Sequence, residues 1–166
     1  MARDDAHVSG QGSARHLATP RTLLFLRREG KWLFIAGAPH KWWAGRLNGI
    51  GGSVEADEGI SSAALREAEE ETGLRPAEVE LAAVIHFTGE PAVLLFVFIG
   101  ELPPGELRPC DEGAFYWLSP GEIGNPDLPL MADLPFLLPR LWARAAGSAP
   151  LFFLFDFGDG FRATQG

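Results

Sequence analysis

Glu58, Glu67, Glu69, Glu70 and Glu71 put five carboxylates between positions 58 and 71. A helix turns about 100° per residue, so Glu67, Glu70 and Glu71 share one face while Glu69 points the other way. Three carboxylates on one face repel each other. A hard divalent cation such as Mg²⁺ or Mn²⁺ prefers clustered carboxylate oxygens and relieves that repulsion. A solvated acidic helix face has the same spacing. Asp111 and Glu112 stand just before an apolar aromatic run, where one of them can point into a site and an exposed turn is the plain alternative. The segment His40-Lys41-Trp42-Trp43-Ala44-Gly45-Arg46-Leu47-Asn48-Gly49 sets two tryptophans and an amide directly before the acidic stretch. It offers an aromatic wall for a planar base and, in Asn48, a donor and acceptor for the base edge. One of the two tryptophans is as well suited to packing the loop.

The residues around the acids are those needed to position them. Gly51 and Gly52 suit a tight backbone where a strand meets a loop, and they let that backbone come close to a substrate or metal. Ser61 or Ser62 can cap a helix, with Asp57 and Glu58 favourable near its positive end. Ala63, Ala64, Leu65 and Ala68 are good helix formers, of which Ala64, Leu65 and Ala68 can pack inward. Gly73 suits a left-handed stop after the last turn, and Pro76 prevents continuation. The expected unit is a short helix, fixed at both ends, with carboxylates along its exposed edge.

From Gly52, five residues lead to Glu58 and seven more to Arg66-Glu67-Ala68-Glu69-Glu70-Glu71-Thr72-Gly73-Leu74. This resembles the Nudix box, G-x5-E-x7-R-E-U-x-E-E-x-G-U with U apolar, at all nine specified positions. The resemblance implies an α/β (α+β) Nudix fold: a mixed β-sheet sandwiched between helices, with the box as loop, helix and loop. It also implies hydrolysis of a nucleoside diphosphate linked to another group, with Mg²⁺ or Mn²⁺ as cofactor. Beyond the box, Gly45-Arg46-Leu47-Asn48-Gly49-Ile50-Gly51-Gly52 is similar to a segment of the MutT-like oxidised purine nucleoside triphosphatases of eukaryotes. So are the Gly89-Glu90-Pro91 turn, Asp111-Glu112 before an aromatic strand, and an Asp-led last helix followed by an aromatic strand. The similarity runs over roughly residues 20–160.

By that resemblance, the Gly51 carbonyl and the carboxylates of Glu67, Glu70 and Glu71 hold the metal, with Glu112 as a further carboxylate from outside the box. Glu70 or Glu112 serves as base. Arg66 orients Glu58 or a box glutamate. Asn48 and Asp133 read the purine, with Trp42 as aromatic wall and Gly52 beside the substrate. Leu47, Leu130 and Ala132 depart from the pattern, which has Trp at the first two positions and a first Asp of a pair at the third. Hydrolysis of nucleotide sugars, dinucleotide polyphosphates or capped RNA stays open as an alternative, as does a nucleotide-sensing domain without turnover.

Length and composition bound the rest. The chain has 166 residues, 46% hydrophobic and 22% charged, which suits one globular domain with a core. The net charge of −8 is unevenly spread: through Arg46 there are eight Lys or Arg against three Asp or Glu, and beyond it six against nineteen. A polyphosphate would need a bridging cation or the basic first third, and a stable nucleic-acid partner is not expected. Cys110 is the single cysteine, so an intramolecular disulfide and a cysteine zinc site are excluded, and a cytoplasmic location is expected. No apolar run reaches the length of a membrane span, and the start lacks a signal-peptide core. Residues 1–19 read as a flexible tail, and residues 20–166 as a single domain.

Strands are expected at Arg21 to Arg27, Lys31 to Ala36, Glu80 to Phe87, Ala92 to Ile99, Phe115 to Leu118 and Leu151 to Phe157. Ser119 to Pro129 reads as loop. Met131 to Ala146 reads as helix, with Asp133 at its N-cap and Pro135 in its first turn.

Overall fold

Along the first strand, β1 (Ala18–Arg28), Leu23 and Phe25 pack in one cluster of buried side chains and Leu24 and Leu26 in another. A strand buried on both faces needs cover on both. The next strand, β2 (Lys31–Gly37), alternates in the same way, with Trp32 and Phe34 in the first cluster and Leu33 and Ile35 in the second. The first cluster is closed by α3 (Leu134–Ala143) through Leu134, Leu137, Leu138 and Leu141. The second is closed by α1 (Ile60–Thr72) through Ala64 and Ala68. The result is the expected mixed sheet between helices.

The computed structural model describes residues 16–156 and 162–165. The remaining elements are β3 (Leu47–Asn48), β4 (Glu80–Phe87), β5 (Ala92–Glu101), β6 (Gly113–Leu118), α2 (Pro120–Ile123), β7 (Leu151–Asp156) and β8 (Arg162–Gln165). The sheet runs β3-β2-β1-β5-β4-β7-β8, with β6 also on β2. The β1–β5 and β4–β7 pairs are parallel and the others antiparallel. The expected tail lies outside the described residues as far as residue 15, and its last two, Ala18 and Thr19, belong to β1, paired with Ala92 and Val93. Phe157, the expected end of the β7 strand, also lies outside them. No helix among the described residues is long and apolar enough to cross a membrane.

Three local expectations are corrected. Gly59 is the N-cap of α1 and no side chain caps it, because the helix begins at Ile60 and Ser61 and Ser62 already lie inside its first turn. Ser119 to Pro129 is not wholly loop: Ser119 and Glu122 exchange hydrogen bonds as a capping box and hold the single turn of α2. The last helix is shorter than expected. It starts at Leu134, since Met131 donates its N–H to Leu47 O (3.0 Å) instead of joining the helix, and it ends at Arg144, whose backbone is extended.

Gly113 begins β6 at φ +157°, and a Cβ there would lie 1.8 Å from the carbonyl oxygen of Ala36. Gly113→Ala should therefore destabilise the fold by about 1–3 kcal/mol, the usual range for forced overpacking. Chemical denaturation checks this. A variant as stable as the parent would mean that β6 shifts freely on β2.

Candidate active site

The loop before α1 is fastened to the edge of β1. Leu24 and Ile50 exchange backbone hydrogen bonds at 2.5 and 3.0 Å, and Thr22 N donates to Gly52 O at 2.9 Å. Gly51 takes φ +153°, where a Cβ would come within 2.2 Å of Thr22 O. Its N–H favours the charged form of the Glu71 carboxylate, which is only 9% exposed. At Gly52 a Cβ would meet Glu67 Oε1 at 2.4 Å, so the missing side chain leaves room for that carboxylate.

The other end of α1 is closed by Gly73 in the left-handed region (φ 77°), as its position suggested. Arg108 adds a cation there, with Nη2 donating to Glu70 O (2.7 Å) and Glu69 O (3.3 Å).

Arg66 connects the loop to the helix. Its guanidinium donates to Glu58 through Nε (3.1 Å) and Nη2 (2.6 Å), to Ser53 O (3.0 Å), and through Nη1 to Glu67 and Glu70 (both 3.0 Å). Glu58 also accepts from Glu55 N at 2.9 Å. The Arg66 hydrogen bonds hold the Glu58 carboxyl below its usual range and raise the guanidinium further still. Glu69 lies off this face, 54% exposed, with Arg75 at 2.9 Å.

A cleft of about 560 Å³ gathers Trp42, Asn48, Gly51, Glu71, Glu112 and Asp133. Asn48 and Asp133, far apart in sequence, share it because Leu47 N donates to Pro129 O (2.8 Å) and Met131 N to Leu47 O (3.0 Å). The Asn48 Oδ1 accepts from Gly49 N (2.9 Å), which leaves the amide nitrogen without a protein partner among the described residues. The two tryptophans are placed differently. Trp43 packs on the second core cluster and against Gly37, whereas Trp42 stands 85% exposed at the cleft.

A second recess of about 360 Å³ gathers Glu67, Glu70, Glu71 and Glu112 with Pro109, Cys110 and Asp111. Glu71 and Glu112 border both spaces, whereas Glu58, Arg66 and Gly52 line neither. Gly52 stands against Glu67, whose carboxylate holds the space that a Cβ would fill, and it does not line the cleft. Burial raises the Cys110 thiol, which leaves it poorly nucleophilic.

Several lining residues carry no signal of their own in the sequence. Phe87, Val93, Leu95 and Met131 belong to the apolar lining of the cleft. Arg21 and Arg46 also line the cleft, and neither side chain has a hydrogen-bond or ion-pair partner among the described residues. For these two, the surplus of cations before residue 47 is the signal that could have found them.

The donor set fits a hard divalent cation. It is all oxygen, and Glu71 is a buried acid pushed up to about 8 by burial first and then by its neighbours Glu67 and Glu112, against the Gly51 N–H. The carboxylates do not converge as they stand: among the described residues no three acids, histidines or cysteines are close enough to hold an ion. Glu67 and Glu70 are drawn to Arg66, and Glu112 to Lys41.

The raised Glu71 sets a pH dependence. Between its ordinary value of 4.5 and about 8, the folded chain binds a proton that the unfolded chain has released, so this contribution to stability is lost as pH rises through that window. In a chelating buffer, Glu71→Gln should flatten the decline of Tm over this range. An identical pH profile for both proteins would show that Glu71 ionises freely.

The NUDIX domain family profile matches residues 15–139. No curated protein matches the sequence. Among solved structures, the mutator MutT protein of Bacillus halodurans is 22% identical over 87% of this chain and 97% of its own, with a TM-score of 0.69. The ORF135 protein of E. coli is 29% identical over 80% of this chain and 94% of its own, with a TM-score of 0.61. An ADP-ribose pyrophosphatase of Streptococcus suis is 22% identical over 82% and 99%, with a TM-score of 0.59. The profile spans most of the chain and includes the helix that carries Glu67, Glu70 and Glu71, and the chain therefore belongs to the NUDIX domain family.

Proposed function

We propose that this chain is a divalent-metal-dependent pyrophosphohydrolase of nucleoside polyphosphates. Its proposed substrates are purine nucleoside triphosphates, oxidised ones such as 8-oxo-dGTP included, and its products the nucleoside monophosphate and pyrophosphate. The observation that carries this reading is one cleft in which Asn48 and Asp133, suited to a base edge, lie with the acids Glu71 and Glu112. Glu67, Glu70, Glu71, Glu112 and the Gly51 carbonyl would hold Mg²⁺ or Mn²⁺. The cation, when bound, neutralises phosphate charge and polarises the phosphoryl group.

The chain's own groups do the rest. Arg66 keeps Glu58 and Glu67 in place through its hydrogen bonds. Glu112 or Glu70 accepts the proton of the attacking water; both carry exposed carboxylates, 41% and 58%, that water can reach. Trp42 covers the base from the rim, and Arg21 and Arg46 supply positive charge where the substrate is anionic. Positioning and charge neutralisation are the main sources of rate in phosphoryl transfer, and this set of groups is built for them.

A panel of nucleoside triphosphates, nucleotide sugars and dinucleotide polyphosphates, with product analysis in Mg²⁺, Mn²⁺ and chelator, tests the reading. Release of pyrophosphate from a purine triphosphate, abolished by chelator and restored by either metal, is the expected result. Turnover that persists in strong chelator, or none on the whole panel, would overturn it.

A further inference from the structure

Lys41 lies in the loop between β2 and β3, and its partner is an acid that borders both the cleft and the acidic recess. The loop is fastened at its base: Gly37 N donates to Arg46 O (3.0 Å) and Gly45 N to Gly37 O (2.8 Å). Glu112 holds the loop twice more. Its carbonyl accepts from Ala38 N (2.8 Å), and its Oε1 lies 2.5 Å from Lys41 Nζ. The next residue, Trp42, is the exposed aromatic at the cleft.

Among the described residues, two side-chain cations thus pair with acids of the recess, Arg66 with Glu67 and Glu70 and Lys41 with Glu112, and they are held very differently. Arg66 is fixed by five hydrogen bonds, to three carboxylates and one carbonyl. Lys41 has one such bond, and its side chain and that of Glu112 are 26% and 41% exposed. An ammonium on a flexible stem, with one partially exposed partner, can change partners at small cost.

On the reading of this site as a polyphosphate hydrolase, we infer that Lys41 is an exchangeable cation. It neutralises Glu112 in the free protein and passes to a phosphate oxygen when a divalent cation takes Glu112. No covalent bond changes and no net charge moves. The pairs Lys41–Glu112 and cation–phosphate become Lys41–phosphate and cation–Glu112, the cation keeping its phosphate contact. Lys41 then competes with the metal before the nucleotide arrives and assists the nucleotide afterwards. A merely structural lysine would leave both affinities unchanged when removed, or weaken both together.

The test is to measure the two affinities separately in the full chain. Mn²⁺ alone is titrated by calorimetry, and then α,β-methylene-dGTP is titrated at saturating Mn²⁺. For Lys41→Gln, Mn²⁺ should bind about 5-fold tighter and the analogue about 10-fold weaker, the scale of one partly exposed hydrogen bond. Lys41→Arg, which keeps the charge, should restore both towards the parent and shows that loss of charge, not of fold, is being read. A thermal melt of each variant establishes that it is folded. If the parent binds Mn²⁺ and Lys41→Gln binds it equally or more weakly, the exchange is overturned while the hydrolase reading stands. Unchanged affinity for the analogue overturns the exchange too. If the parent itself binds no Mn²⁺, both fall together.

Discussion

Replacing Glu71 with glutamine should lower kcat at least about 10²-fold and leave a folded protein, the scale seen when one preorganised electrostatic group is removed from a catalytic site. Glutamine has the size of glutamate and keeps a carbonyl oxygen that can accept a hydrogen bond. It cannot carry the charge. Glu71 is the most enclosed of the box acids, 9% exposed at the boundary of cleft and recess, so its charge is the one least screened by water. Burial penalises that charge in the metal-free chain, so the variant should melt no lower than the parent at neutral pH in chelator. Glu69→Gln is the control on the same helix. It removes a surface pair with Arg75, both side chains about half exposed, and should leave kcat within about 2-fold, since exposed pairs contribute little. Steady-state kinetics on the best substrate, with a melt of each variant, separates the two. Equal losses at both positions would mean that the helix presents a different face to the chemistry.

The local part of this arrangement is legible in the amino-acid sequence. The i, i+3, i+4 spacing places Glu67, Glu70 and Glu71 together and Glu69 apart because helix geometry follows from local sequence. Gly73 ends the helix through its own φ, and the bounds of β4 are the expected ones for the same reason. The illegible part depends on contacts between distant segments. Nothing local to Gly52 announces that the space beside it holds the Glu67 carboxylate. Neither spacing nor composition announces that Arg108 closes the last turn of α1 from a loop beyond β5. Met131 to Asp133 have helix-compatible residues, yet the backbone bonds of Pro129 and Met131 to Leu47 hold them outside the helix. The family resemblance anticipates that Asn48 and Asp133 belong together; those backbone bonds are the physical reason that they share a cleft.

Removing either of these two side chains should reduce kcat/KM for the best purine triphosphate by about 5- to 150-fold, the equivalent of one lost buried hydrogen-bonding partner. Metal binding should be unaffected, since neither residue lines the acidic recess. Asn48 has an amide nitrogen with no protein partner among the described residues, ready to donate to an acceptor on the base. Asp133 is half-buried, and burial raises its carboxyl above the ordinary value. Burial therefore shifts it toward its protonated form, which can donate as well as accept. As pH rises through that raised value the donor is lost, so the Asp133 contribution to kcat/KM should fall with increasing pH. Asp133→Asn keeps a donor and an acceptor in the same place. It should retain more activity than Asp133→Ala and flatten this part of the pH profile.

Discrimination between oxidised and normal purines should be weaker than the family resemblance alone implies. Ala132, where the resemblance has a first aspartate, lines the cleft without a polar group, and Leu130, in place of an aromatic residue, packs on the core and does not line it. Kinetics on dGTP, its oxidised form, dATP and dCTP decide the matter. If Asn48→Ala and Asp133→Ala leave the ranking of these four unchanged, the two residues do not read the base. The substrate would then be one held by its phosphates and by Arg21 and Arg46, the cations at the cleft that have no partner among the described residues.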